Sequence, residues 1–313
     1  MKQFKHFIVE RDLTASADIN EILLAWYLVD NDWSKVYDGR NVKKQYELKS
    51  AKTDDIEFEQ QSERAWVMAE EVEKWARANG YRGNVVRTWW TARKGVLSKA
   101  VGYEVDSRKN PTDVLALFSD GQFLGLSAKS TKGKGDIGFK NPGAGTFDKI
   151  LRTDLSQSYK EAQEQFAVKY DLSMSASARK KEIRADEKLI AHANSARDMM
   201  LNALRGQLLT KLSSMKQEEL REFIMDECMD AKPVLPRYIK VTGHGRGPFT
   251  ASISDPLAND KATTLATKPI QIQAVGNDSI GVSAGKMPIL KIRFKQESQA
   301  MASSLKLSCE PWR

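Results

Sequence analysis

Cysteine is nearly absent from this chain, with Cys228 and Cys309 its two copies. That excludes a disulfide framework and any cysteine-rich zinc site. Histidine is as scarce, three in 313 residues, so a histidine-clustered metal centre has few donors to draw on. No apolar run approaches the eighteen or so residues of a membrane-spanning helix, and no membrane partner is expected. The first ten residues, Met-Lys-Gln-Phe-Lys-His-Phe-Ile-Val-Glu, hold no secretory apolar core, and a cytoplasmic location (that of the host, for a viral protein) is expected. No internal repeat, nucleotide-binding P-loop or dinucleotide fingerprint is present, although Lys132 to Gly145 is rich in glycine and lysine.

What is present fits a folded, basic protein. Hydrophobic residues make up 41% and charged residues 29%, which is the balance of a globular chain. The formal net charge of +8 favours an anionic partner. Between Leu124 and Arg152 the cations Lys129, Lys132, Lys134, Lys140, Lys149 and Arg152 face only Asp136 and Asp148. Such a local excess could track a phosphate backbone, or could be a solvated loop.

The most informative stretch runs from Pro111 to Thr131. Val114 to Phe118 is a short β-prone run, Asp120-Gly121 is a strong hairpin-turn signal, and Phe123 to Lys129 returns as a second strand. Folding about that turn brings Asp113 and Lys129 together at the far end of the hairpin. An acid and an amine so placed suit metal-assisted phosphodiester hydrolysis. The alternative is an ordinary surface hairpin with a capping aspartate and a solvated lysine.

Asp113, thirteen intervening residues, and then Ser127-Ala128-Lys129 resemble the signature of the PD-(D/E)XK nucleases. The resemblance covers about residues 63 to 150 and is carried by two side chains. It implies an α/β fold with a restriction-endonuclease-like mixed central sheet flanked by helices. It implies Asp113 as a metal-binding aspartate at the start of the second strand, and Lys129 as the catalytic lysine on the third. Ala128 would offer its main-chain carbonyl to Mg2+ or Mn2+. Ser127 stands where the family carries a second acid, and a hydroxyl cannot supply the charge that a hard cation prefers. Some restriction enzymes of the family recover that acid from the following helix, which favours Asp148, with Asp136 closer by in a loop as the alternative. Others place one on the helix before the sheet, where Glu70, Glu71 and Glu73 are candidates and Glu73, seven residues after Trp66, is preferred. Glu104, on an expected strand from Gly102 to Asp106, is a further reserve.

The substrate implied is double-stranded DNA, cut by a homodimer if both strands are cleaved. Lys132, Lys134, Lys140, Arg87, Arg93 and Arg246 are candidate phosphate contacts, and Trp90 a stacking platform for a base. Two rival functions remain open. One is a nuclease-fold DNA-binding protein without activity, which Ser127 favours; the other is a viral structural or assembly protein.

Along the chain, a helix is expected from Ser16 to Val36 with Asp18 as its cap, and a second from Ser62 to Gly80. Residues 1–60 read as an N-terminal helical region and 61–245 as the nuclease-like core, with a helical insertion at about 171–235. Residues 246–313 read as a β-rich C-terminal part.

Overall fold

The computed structural model describes residues 13–106, 109–133, 139–229, 231, 233–296 and 299–312. The chain is mixed α/β with two separate sheets. It divides into two compact units, each made of two pieces of sequence. The first comprises residues 1–135 and 233–256, the second 136–232 and 257–313. The division expected at residues 60 and 245 therefore moves. The N-terminal helices share a core with the sheet, and the helical segment shares one with the C-terminal strands.

In the first unit, helices α1 (Leu13–Tyr27), α2 (Gly39–Ser50) and α3 (Asp55–Ala78) precede strand β1 (Val85–Trp90) and the short helix α4 (Val96–Val101). The hairpin β2 (Val114–Phe118) and β3 (Phe123–Thr131) follows, and β4 (Tyr238–His244) and β5 (Thr250–Ser254) complete the sheet. The strand order is β1-β2-β3-β4-β5. All neighbours are antiparallel except β3 and β4, which run parallel with Lys129 beside Thr242. A parallel pair cannot be joined by a tight turn, so a crossover is required. Residues 136–232 of the second unit lie within it.

Helix α3 begins earlier than its apolar spacing indicates. Asp54 caps it by accepting from the Glu57 amide at 2.9 Å, which satisfies one of the open N–H groups of the first turn. Helix α1 also starts early, at Leu13, so Asp18 lies inside it and pairs with Lys49 instead of capping. Ile19, Ile22, Leu23, Leu24, Met68 and Val72 from these two helices pack against Val114, Ala116, Leu124, Leu126, Ile239 and Val241 of the sheet. Each fully buried side chain of this size contributes about 1.5–3 kcal/mol. The other face of β1 and β2 packs Trp89 and Leu115 against Val96 and Leu97. Both faces of β1 are therefore covered, which buries both adjacent tryptophans.

The hairpin spans the expected residues. Its turn is longer than two residues: the Phe118 amide donates to the Gln122 carbonyl at 2.9 Å, and Gly121 takes a φ of +85°. Asp120 fixes the turn by accepting from the amides of Gln122 and, at 2.7 Å, Arg82. Residues 102–106 form no strand.

Close approach of α3 to β4 requires a glycine. A Cβ on Gly243 would lie 2.6 Å from Arg64 Cβ and 2.9 Å from the Arg64 carbonyl oxygen. Gly243→Ala is expected to destabilise the protein by about 2 kcal/mol through overpacking, read as a lower urea midpoint at unchanged slope.

In the second unit, α5 (Ala144–Leu151), α6 (Leu155–Lys169), α7 (Ala176–Arg184), α8 (Glu187–Ser213) and α9 (Gln217–Phe223) are followed by a π-helical turn, Ile224–Met229. Helix α10 (Asp260–Thr267) leads into an antiparallel sheet of β6 (Ile270–Val275), β7 (Ser279–Ala284), β8 (Met287–Gln296) and β9 (Leu305–Pro311). Arg179 of α7 is buried and donates from Nε to the Met301 carbonyl at 2.9 Å. No described helix is long and apolar enough to cross a membrane.

Candidate active site

The site is built where β3 outruns β2. Asp113 still pairs through its backbone: its amide donates to Leu126, and its carbonyl accepts from Thr91. Before it the chain leaves the sheet at Pro111-Thr112, since proline has no N–H to continue a ladder. Asn110 holds that departure, accepting from the Thr112 hydroxyl at 2.6 Å and donating to the Pro236 carbonyl at 2.9 Å. The Ala128 amide then lacks a backbone partner on the β2 side, and the Asp113 side chain supplies one at 2.9 Å.

One carboxylate oxygen carries all the recorded hydrogen bonds. Asp113 Oδ2 accepts from the Ala128 amide, from Lys129 Nζ at 3.1 Å and from Ser127 Oγ at 3.4 Å. Oδ1 accepts none among the described residues. The Lys129 side chain is 51% exposed and that of Asp113 27%, so the pair lies at an opening of the surface. Ser127 is almost fully buried beneath it.

A further carboxylate enters from α1. Glu21 Oε2 accepts from the Trp90 indole N–H at 2.8 Å. Burial first, and then the negative charge of Asp113, push its pKa up to about 7, with Asp18 adding to the rise; the indole bond and the Lys129 charge oppose it. Glu21 was not singled out in the sequence. It directly precedes the apolar run Ile22–Val29, and an acid on the edge of such a helix was the available signal.

This shift has a thermodynamic consequence. The native state holds the Glu21 proton up to about pH 7, whereas the unfolded chain releases it near the ordinary value of 4.5. The native state therefore binds more protons over that window, and its stability falls as pH rises from about 4.5 to about 7 and then levels off. Glu21→Gln keeps an acceptor for Trp90 and removes the ionisation. The variant is expected to be about 2–3 kcal/mol more stable than the parent at pH 8 and little different at pH 4.5, by urea melts at both. Equal differences at the two pH values would refute the assignment.

The other candidate residues are engaged elsewhere or exposed. Asp148 belongs to the second unit, where its carboxylate accepts from the amides of Leu155 and Ser156 at 2.7 and 2.9 Å and from the Thr153 hydroxyl. It organises the entry to α6. Those bonds together outweigh the burial that would raise its pKa and hold it below the ordinary value. Glu73 is half-exposed and lies 3.8 Å from Arg77. The phase taken from Trp66 misled, because Trp66 is itself exposed and the buried stripe runs through Ala65, Met68, Ala69 and Val72. Glu104 is exposed in a loop.

Trp90 is buried in the core and cannot stack a base as it stands. Lys132 pairs with Glu57 at 2.6 Å and Arg93 with Asp38 at 2.7 Å. Lys140, in the second unit, donates to the Asp226 carbonyl at 3.0 Å beside Glu227. Arg87 is exposed over the rings of Tyr37 and Trp89, and Arg246 is exposed in the turn after β4. Lys134 and Asp136 lie outside the described residues.

Behind β3 lies Arg64 of α3, a buried cation. Its Nε donates to the Gly245 carbonyl at 2.8 Å, Nη1 to Ser130 Oγ at 3.1 Å and Nη2 to Gln60 Oε1 at 2.8 Å. Its closest recorded carboxylate, Glu57, is 4.0 Å away. Burial lowers its pKa, Glu57 opposes that, and Arg246 adds to it.

No group of three or more His, Cys, Asp or Glu side chains able to hold a metal ion occurs among the described residues. Mg2+, however, commonly takes only one or two protein carboxylates and fills its shell with water and substrate phosphate. Glu21 and Asp113 meet that requirement: the Asp113 charge adds to the cost of ionising Glu21, and a cation between them would relieve it. No protein-family model, curated protein or solved structure matches the chain.

Proposed function

We propose that the protein is a metal-dependent endonuclease that hydrolyses phosphodiester bonds of double-stranded DNA on a restriction-endonuclease-like core. The observation that carries this reading is the convergence of Asp113, Lys129 and Glu21 at the open end of β3. Asp113 directly before β2 and Ser127-Ala128-Lys129 on β3 support a resemblance to the PD-(D/E)XK nucleases.

Asp113, Glu21 and the Ala128 carbonyl would hold Mg2+ or Mn2+, which when bound supplies positive charge to the phosphoryl oxygens and makes water a better nucleophile. Lys129 orients the attacking water and offsets the charge that develops on the phosphate. Ser127 donates to Asp113 and holds its carboxylate facing the opening. Glu21 must lose its proton to accept a cation, so cation affinity rises through about pH 7. Cutting both strands calls for two copies of the chain.

The test is relaxation and linearisation of supercoiled plasmid in the presence of Mg2+ or Mn2+, lost on chelation. A second reading, DNA binding without cleavage, is favoured by Ser127 where the family pattern has an acid. Salt-dependent plasmid binding by a protein that cuts with neither cation would select it.

A further inference from the structure

Lys129 donates to the carboxylate oxygen of Asp113 that also takes the Ala128 amide and the Ser127 hydroxyl. On the nuclease reading, on which this inference rests, Asp113 also receives a divalent cation. An ammonium 3.1 Å from that oxygen and a cation on the same carboxylate repel each other. With its side chain half in water, the Lys129 ion pair is a weak one, so it yields. The ammonium then needs another acceptor within reach.

The neighbouring strand offers one. Lys129 and Thr242 are register partners in the parallel β3–β4 pair, so their side chains stand on the same face of the sheet. Adjacent strands lie about 4.8 Å apart, well within a lysine's span. Thr242 is 1% exposed, and its Oγ1 has no hydrogen-bond partner among the described residues. An unpaired buried hydroxyl is destabilising, and a threonine oxygen can accept two hydrogen bonds. The next residue on that face, His244, is already satisfied by Ser252 Oγ at 2.8 Å and the Gly133 carbonyl at 3.3 Å. Thr242 is thus a vacant acceptor beside the lysine, on the side away from Asp113.

We infer that Thr242 is a positioning residue whose hydroxyl receives the Lys129 ammonium when a divalent cation takes the Asp113 carboxylate. Lys129 then alternates between two strands: on β2 it closes the site in the free protein, and on β4 it is held clear of the cation.

Thr242→Val keeps the branched shape and removes the hydroxyl; Thr242→Ser keeps the hydroxyl. Both are expected to fold, with the valine variant at least as stable because an unpaired buried oxygen is gone. Isotope-labelled lysine signals, with Lys129 assigned through Lys129→Arg, would be followed by NMR during titration with MgCl2 alone. Binding would be read independently from the labelled carboxyl of Asp113.

In the parent and in Thr242→Ser, the Lys129 Nζ protons are expected to become protected from exchange as Mg2+ binds; in Thr242→Val they are not. Thr242→Val is also expected to cut plasmid with kcat about tenfold lower and KM unchanged, the loss being one of orientation, with Thr242→Ser near the parent. Lys129 signals that respond identically to saturating Mg2+ in the parent and Thr242→Val, or an unchanged kcat in Thr242→Val, would overturn the inference. The nuclease reading fails separately, if the parent binds Mg2+ and does not cut. The lysine signals report on Thr242 either way.

Discussion

Lys129→Ala is expected to slow Mg2+-dependent plasmid cleavage by about a thousandfold, and Asp113→Asn by a similar factor, while leaving the protein folded. The fold should survive because the pair is open to water and contributes at most about 1 kcal/mol. The amide oxygen of an asparagine at 113 can still accept from the Ala128 amide, which keeps the end of the hairpin closed. The activity should not survive, because on the nuclease reading both groups act on one phosphate in one step. Their effects should therefore fail to add: the double variant is expected to be no more than a few-fold slower than either single one. Circular dichroism and urea midpoints would establish folding, and the cleavage rate at saturating Mg2+ gives the result. Full cleavage by Lys129→Ala would remove the basis for the nuclease reading.

The second large effect concerns stability. Arg64→Ala is expected to cost about 3–4 kcal/mol, measured as a drop in urea midpoint. The guanidinium is 1% exposed and joins three places at once: the Gly245 carbonyl after β4, Ser130 near the end of β3 and Gln60 on its own helix. Truncation leaves those acceptors unpaired and opens a cavity beside Met68 and Gly243. Arg64→Lys should recover only part of the loss, since an ammonium restores the charge without the planar fork that reaches three partners. Arg64→Met should also be intermediate, keeping the stem's packing and removing the cost of burying a charge. An alanine variant within 1 kcal/mol of the parent would show that the three hydrogen bonds contribute little beyond what water would provide.

The hairpin was legible in the sequence because its signals are local. Asp-Gly, a β-prone run on each side and a proline before Asp113 lie within about twenty residues of one another. The meeting of Asp113 and Lys129 follows from that geometry. Glu21 was not legible, because its proximity to Asp113 depends on how α1 packs across the sheet, ninety residues upstream of the hairpin. Glu73 was misplaced for a related reason. Trp66 was taken to mark the buried face of α3, but it packs edge-on against Tyr27 and stays exposed, while Arg64 holds an interior position. Burial of a charged residue and exposure of a tryptophan both invert what hydropathy alone indicates. The unit boundaries were hidden as well, since composition does not reveal that residues 233–256 return to complete a sheet begun before residue 135.

That return affects how the protein is made. When a ribosome has released residues 1–135, the sheet has its first three strands, and β3 exposes the unsatisfied edge to which β4 will add. About a hundred more residues must emerge before Thr242 can lie beside Lys129. During that interval the nascent chain carries Lys129 without its neighbouring strand, so on the nuclease reading competence to cut waits until β4 has emerged and docked beside β3.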